Sequence, residues 1–190
     1  MARRLMVQGV TSGAGKTTLT AALCRHFRRQ GVDVAPFKAQ NVSLNSFVTS
    51  DGKEMAMSQA YQAWACGLEP SSDMNPILIK PKGNGQCQVV LRGRPWRDLG
   101  PGESTPRVIG TLREEVLEAF RDNALGREML LIEGMGSPVE MNLKEKDVSN
   151  MWLAKATRSP VLLVGDIEKG GVFAGIYGTY LLMDEEERDL

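Results

Sequence analysis

The sequence of 190 residues predicts an α/β domain with a mostly parallel sheet. Three observations predict it. Short apolar runs alternate with longer segments of helical periodicity. A glycine-rich loop follows the first apolar run and opens the first helical segment. Two later apolar runs, MLLIE and PVLLVGD, each close on a carboxylate, where an α/β fold builds its crevice.

Leu5 to Gly9 is a short apolar run ending in glycine, as a buried strand does. Residues 16–30 then place Leu19, Ala22, Leu23 and Phe27 at helical spacing, and Gly31 closes that helix. Residues 32–38 (VDVAPFK) form a second strand, so the order strand–loop–helix–strand predicts one βαβ unit with a right-handed parallel crossover. Residues 39–53 are polar and turn-rich and are expected to be one long loop, which in a compact domain is usually functional. Residues 55–66 are expected to be helical up to Gly67, with Met55, Met57, Tyr61 and Trp64 assigned to packing. Residues 68–105 are rich in Pro and Gly and carry two β-like runs, PILIK and QCQVVLR.

Pro106 suits the first turn of a helix running to about Ala124. Residues 129–133 and 160–166 are a third and a fourth core strand. Short helices are expected over 147–157 and 170–183. There is no internal repeat. A doubly wound sheet would return with another strand after the last helix. Residues 1–190 are therefore expected to be one P-loop domain, truncated before the final strand or strands as a fragment or N-terminal domain.

Lys and Arg balance Asp and Glu at 23 each, which argues against a polyanion-binding surface and so against nucleic acid as a partner. No apolar run reaches membrane-spanning length. MARR leads into a strand and a glycine loop, unlike a signal peptide. Cys24, Cys66 and Cys87 lie far apart without a C-x-x-C pattern, as reduced thiols of a cytoplasmic protein do. The one histidine, His26, lies among arginines on the first helix and reads as a surface residue.

Residues 9–18, GVTSGAGKTT, nearly fit the phosphate-loop pattern G-x-x-x-x-G-K-[ST], but Gly9 sits one residue too early. Phosphate binding needs inward backbone N–H groups, the positive end of a helix and a reaching cation. Gly13, Ala14 and Gly15 give the tight backbone path and Lys16 the cation, while Thr17 places a hydroxyl for Mg²⁺ and Thr18 extends the contact. The extra residue lengthens the approach to the loop and leaves the G-K-T-T end intact. This context makes the fold a P-loop NTPase-type three-layer sandwich that binds a nucleoside triphosphate.

Glu133 ends a strand and precedes GMGSP, the position of a second metal ligand, although a strand-ending acid can also simply face solvent. Asp166 either touches the metal or caps the next helix. Lys38 ends the second strand and can face the same crevice. The cluster Gln40, Asn41, Ser43, Asn45 and Ser46 suits a substrate rich in carboxylates and amides, or a hydrophilic turn. In NLKEKDVSNM, Asn142, Asp147 and Asn150 are candidates on spacing alone.

Several of these segments together resemble the N-terminal synthetase domain of the cobyric acid synthase family. They are GVTSGAGKTT, VAPFKAQNVSLNSFVT, DMNPILIKP, IEGMGSPVEMNL, KDVSNM and VLLVGDIEKGGVFAGIYGT, spread over nearly the whole chain. The lengthened phosphate loop is also the form found in dethiobiotin synthetases, so the resemblance implies a dethiobiotin synthetase-like fold. It further implies amidation of the b, d, e and g carboxylates of adenosylcobyrinic acid a,c-diamide, with ATP, Mg²⁺ and ammonia from glutamine. By similarity Lys16 would stabilise the transferring phosphoryl group, and Thr17, Glu54 and Glu133 would hold magnesium. Lys38 would lie near phosphate and substrate carboxylate, and Asn41, Asn45, Ser137 and Asn150 would hold the corrinoid. Asp147 would act in the substrate or intermediate step.

Family members continue into a glutaminase domain with a cysteine nucleophile and a histidine base, and no residue of this sequence fits either role. Ammonia would therefore come from a domain outside this chain. A homo-oligomer is compatible with the sequence. Two other readings share the loop: a related carboxylate-activating ligase, and a partitioning-type switch ATPase. The latter usually carries an extra lysine where this sequence has Thr11.

Overall fold

A computed structural model describes residues 2–190. In chain order its elements begin with β1 (Arg3–Gly9), α1 (Lys16–Arg29), β2 (Val34–Phe37), β3 (Gln40–Val42), β4 (Ser46–Val48) and β5 (Glu54–Ala56). Then come α2 (Met57–Ala65), β6 (Ile77–Gly83), β7 (Gln86–Leu91), β8 (Arg94–Leu99) and α3 (Pro106–Ala124). The last are β9 (Met129–Glu133), α4 (Met151–Thr157), β10 (Val161–Val164), α5 (Val172–Leu182) and α6 (Glu185–Arg188).

The main sheet has four parallel strands in the order β10-β1-β9-β2. Side chains alternate across a strand, so a parallel strand covered on both faces reads as a continuous apolar run. In β9 that alternation assigns the layers. Leu130 and Ile132 pack in one cluster with Val108, Leu112 and Val116 of α3. Met129 and Leu131 pack on the other face with Cys24 of α1 and Cys66 after α2. The result is the expected helix–sheet–helix sandwich. Cys24 and Cys66 are free and buried, and their mutual hydrogen bond pushes the Cys24 thiol up.

The predicted βαβ unit is present, with a strand inserted in it. β1 and β2 are parallel members of one sheet but not neighbours, because β9 lies between them. This insertion builds the site, since it registers Glu133 of β9 beside Val7 of β1, two residues before the glycine loop begins to turn.

A second sheet, β3-β6-β7-β8, stands beside the first. The expected long loop over 39–53 contains β3, which pairs parallel with β6, and β4, which pairs antiparallel with β5. The helix expected from Met55 starts at Met57, because Glu54–Ala56 is spent on that pairing. β8 was not expected: RPWRDL is mostly exposed and shows no apolar alternation. It exists because Arg92 and Gly93, both at positive φ, close a tight hairpin from β7. Arg92 is unusual there, and ion pairs to Asp73, Glu118 and Asp122 hold it.

α3 begins at Pro106 as expected, with the Thr105 hydroxyl accepting from the Val108 N–H. The helix expected from Asp147 starts only at Met151. β10 is an edge strand of the main sheet. Beyond it, α5 carries Phe173, Tyr177, Tyr180, Leu181 and Leu182, each at least 49% exposed. No helix among the described residues is long and apolar enough to cross a membrane.

Candidate active site

The glycine loop joins β1 to α1. Gly13 and Gly15 have φ of 74° and 90°, the left-handed region that glycine enters without steric cost. Gly15 is the N-cap of α1, and no side chain caps that helix, nor does an acid lie in its first turn. Its leading N–H groups are thus left for an external anion. Gly9 has a different reason to be glycine. A Cβ there would lie 2.9 Å from Lys16 Nζ and 3.1 Å from Ala14 Cβ. The glycine one residue early is therefore the floor over which Lys16 runs.

Lys16 is 6% exposed. Its Nζ donates to the carbonyls of Thr11 at 3.0 Å and Gly136 at 2.8 Å. Burial pushes this ammonium below the usual lysine range; the nearby Lys38 charge lowers it further, and Glu133 opposes both. Two neutral carbonyls are weak partners for a buried cation, and an arriving phosphate would be a stronger one.

Glu133, 1% exposed, is the centre of the site. Its Oε1 accepts from the Thr17 hydroxyl at 2.8 Å and from Lys38 Nζ at 2.7 Å. Its Oε2 accepts from Gln62 Nε2 at 2.6 Å. The structure thus brings together Lys16, Thr17, Lys38 and Glu133 from β1–α1, β2 and β9. Gln62 was missed, because its helix reads as packing from its methionines and aromatics. The available signal was the pair Gln59 and Gln62, three apart on one helix face and both fully buried.

Three candidates hold the loop after β9 in place. Asn150 Oδ1 accepts from the Met135 N–H at 2.9 Å, and its Nδ2 donates to the carbonyls of Met135 and Ser137 at 2.7 and 3.3 Å. Gly134 makes room for it, since a Cβ there would sit 2.4 Å from Asn150 Oδ1. This amide holds the loop's backbone, and Asn150 also lines the cavity of the site. The Asp147 carboxylate accepts from the N–H groups of Ser149, Asn150 and Trp152 at 2.7–2.9 Å. It lies ahead of α4 and holds the Trp152 N–H of that helix's first turn, and Asp147 also lines the cavity. The Ser137 hydroxyl is buried and accepts from the Val139 N–H at 3.4 Å.

These residues line a cavity of about 610 Å³. Ser12, Gly13, Lys16, Thr17, Lys38 and Glu133 form its polar end. Val42, Ile79, Leu99, Ile109 and Leu112 give it apolar walls from the second sheet and α3. Asn41 also lines it, with its Nδ2 donating to Ser58 and Gln59 at 2.9 and 2.8 Å. Ala14, Gly15 and Thr18 belong to the loop and first helical turn without lining the cavity.

Two further candidates lie elsewhere. Asn45 sits in an exposed turn, where its backbone bonds Ser43 and Met57. Glu54 is on the β4–β5 hairpin and ion-pairs with Lys80, which holds its carboxyl below the usual range against the opposing effect of burial. Its backbone lies in a paired strand, and Glu54 is not among the residues lining the cavity. Asp166 is likewise outside the cavity lining, and accepts from the Glu168 N–H at 3.0 Å.

The Thr17 hydroxyl and Glu133 carboxylate are hard oxygen donors. That set fits magnesium, which takes few protein ligands and completes its shell with phosphate and water. Among the described residues no three His, Cys, Asp or Glu side chains converge to hold a metal by themselves.

Comparison with known proteins gives the family of this chain. Residues 5–184 match the family model described as CobQ/CobB/MinD/ParA nucleotide binding domain. The cobyric acid synthase of Caldanaerobacter subterraneus subsp. tengcongensis is 49% identical over 192 residues, covering 100% of this chain and 37% of that protein. The probable cobyric acid synthase of Archaeoglobus fulgidus is 50% identical over 186 residues, covering 98% of this chain and 40% of that protein. That of Thermococcus kodakarensis is 48% identical over 190 residues, covering 100% of this chain and 39% of that protein. The chain therefore spans about two fifths of the length of these relatives. With a phosphate loop whose lysine and threonine meet a buried strand-end carboxylate, and a family model matched over nearly its full length, this chain belongs to the CobQ/CobB/MinD/ParA nucleotide-binding domain family.

Proposed function

We propose that this chain is the ATP-dependent synthetase region of a cobyric acid synthase, amidating the b, d, e and g carboxylates of adenosylcobyrinic acid a,c-diamide. The observation that carries the reading is the convergence of Lys16, Thr17 and Lys38 on Glu133 in a cavity that also has apolar walls from the second sheet and α3. The triphosphate lies along the glycine loop, its charge met by the uncapped N-terminus of α1. Lys16 exchanges the Thr11 and Gly136 carbonyls for phosphoryl oxygens. Lys38, which shares Glu133 Oε1 with Thr17, faces the substrate carboxylate and steers it in line with the γ-phosphorus.

A carboxylate oxygen attacks that phosphorus, and the bond to the β–γ bridging oxygen breaks, releasing ADP. The resulting acyl phosphate has a leaving group that the carboxylate lacked. The ammonia lone pair then attacks the acyl carbon, the C–O bond to phosphate breaks, and the surplus proton leaves with phosphate or solvent. Magnesium, held by Thr17 and Glu133, would supply charge neutralisation of the phosphates. The apolar walls suit the face of the macrocycle. Lys146, which lines the cavity and makes no ion pair among the described residues, suits a peripheral carboxylate. Ammonia would come from the glutaminase domain of the longer protein.

The test supplies ammonium directly, so that no glutaminase is needed. The chain, Mg·ATP, ammonium and the corrinoid are incubated, ADP is measured and the corrinoid is analysed by mass spectrometry. Expected is ADP release that requires the corrinoid, together with amide product. ADP release indifferent to the corrinoid, with nucleotide-dependent dimerisation and no amide, would overturn the reading in favour of a switch ATPase.

A further inference from the structure

We propose that Gln62 is the positioning residue that sets the affinity of the Thr17–Glu133 pair for magnesium; this rests on the nucleotide-and-magnesium part of the reading above. Gln62 is fully buried on α2, 71 residues from Glu133 in sequence and 45 from Thr17. Its single amide nitrogen donates to Glu133 Oε2 at 2.6 Å and to the Thr17 carbonyl at 3.4 Å. One side chain therefore touches both residues that offer oxygen to the metal.

The arrangement answers a geometric need. Glu133 Oε1 is shared by Thr17 and Lys38, and nothing else named in the site touches Oε2. A carboxylate turns easily about its terminal torsion, which is broad and roughly two-fold. With Oε2 unheld, either oxygen could face Thr17, and the ligand pair would be poorly pre-organised. Gln62 fixes the plane. It does so with a neutral donor, so it adds no positive charge beside the metal.

The energetics of the side chain point the same way. Gln62 Oε1 is buried with no protein partner. A buried amide with half its capacity unmet is a cost that an apolar side chain of equal length would avoid. Packing alone does not account for glutamine here, whereas the contact to Glu133 does. Partners that orient a metal's ligands from behind usually matter to metal affinity nearly as much as the ligands.

The experiment titrates MgCl₂ into the chain with a fluorescent N-methylanthraniloyl ATP analogue, and separately measures binding of that analogue in EDTA. Gln62→Met removes the donor at similar volume. Gln62→Asn keeps an amide but draws it back from Oε2, and serves if the first variant does not fold. Expected is a rise of roughly 10–100-fold in the magnesium concentration giving half-maximal binding, with binding in EDTA unchanged. Gln59→Met, an equally buried glutamine one turn away that does not touch Glu133, is expected to leave the magnesium dependence in place.

An unmoved magnesium midpoint in folded Gln62 variants overturns the assignment. So does an equal loss of binding with and without magnesium, which would make Gln62 a packing residue only. If the unsubstituted chain itself fails to bind the analogue, the nucleotide reading falls and this inference falls with it.

Discussion

Replacing Lys38 with methionine would leave the Glu133 carboxylate buried without its closest cation. The two groups are 2.7 Å apart, and their side chains are 8% and 1% exposed. Removing one partner of such a pair costs about 3–5 kcal/mol, because the remaining charge stays desolvated. Here the Thr17 and Gln62 donors still satisfy Glu133, and hydrogen bonds to a charged group are worth about 1.5–3 kcal/mol each. The expected loss is therefore near the lower limit, about 3 kcal/mol. In a chain of this size that lowers Tm by roughly 6–12 °C.

The double variant Lys38→Met, Glu133→Leu removes both charges, and such replacements are often neutral in buried sites. It is expected to recover about 2 kcal/mol of the single loss, short of full recovery because the Thr17 and Gln62 donors then lose their acceptor. Urea denaturation followed by far-UV circular dichroism, on the chain and on both single and double variants, closes the cycle. Costs for the two single variants that simply add within about 0.5 kcal/mol would refute a coupled, desolvated pair at the head of the cavity.

Lys16 gives a pH-dependent prediction of opposite sign. Its pKa is lowered in the folded state, chiefly by burial, so the unfolded chain binds the proton more tightly. Stability then rises with pH between that lowered value and the ordinary 10.5, and the penalty is fully present below the lowered value. Lys16→Met is expected to stabilise the fold at neutral pH while abolishing nucleotide binding, with the stability gain shrinking in alkaline urea titrations. A destabilised variant at neutral pH would contradict the burial argument. Asp147→Ala removes the acceptor of three backbone N–H groups at the start of α4 and is expected to cost about 1–2 kcal/mol, read as a lower Tm, with nucleotide affinity retained. Lost ATP turnover at unchanged Tm would instead return Asp147 to the chemistry.

Much of this site was legible because its chemistry is local. Gly13, Gly15, Lys16 and Thr17 are consecutive enough that one strand–loop–helix junction dictates their geometry. Glu133 was legible because an apolar run ending on an acid and a glycine has few places to sit in a parallel sheet. What stayed hidden depends on pairing between distant segments. That β9 enters between β1 and β2, and so brings Glu133 to Thr17, follows from tertiary packing that no window of sequence contains. Gln62 was hidden because the methionines and aromatics of its helix read as packing.

Asp147 and Asn150 illustrate a different limit. A loop rich in Asp and Asn needs many of those side chains to satisfy its own backbone, and composition does not separate that use from ligand binding. Glu54 shows how a three-residue strand, too short for its alternation to register, moves a carboxylate away from the place a helical reading gives it. β8 escaped because a mostly solvated strand owes its existence to the hairpin turn before it and not to its own pattern.

The bare flank of α5 has a practical consequence. Phe173, Tyr177 and Leu181 offer water a greasy ridge. Purified on its own, the polypeptide should light up anilinonaphthalene dyes while fully folded, and turn cloudy well before its melting point as molecules adhere ridge to ridge. Mild detergent, rather than ligand, would be the additive that keeps it in solution.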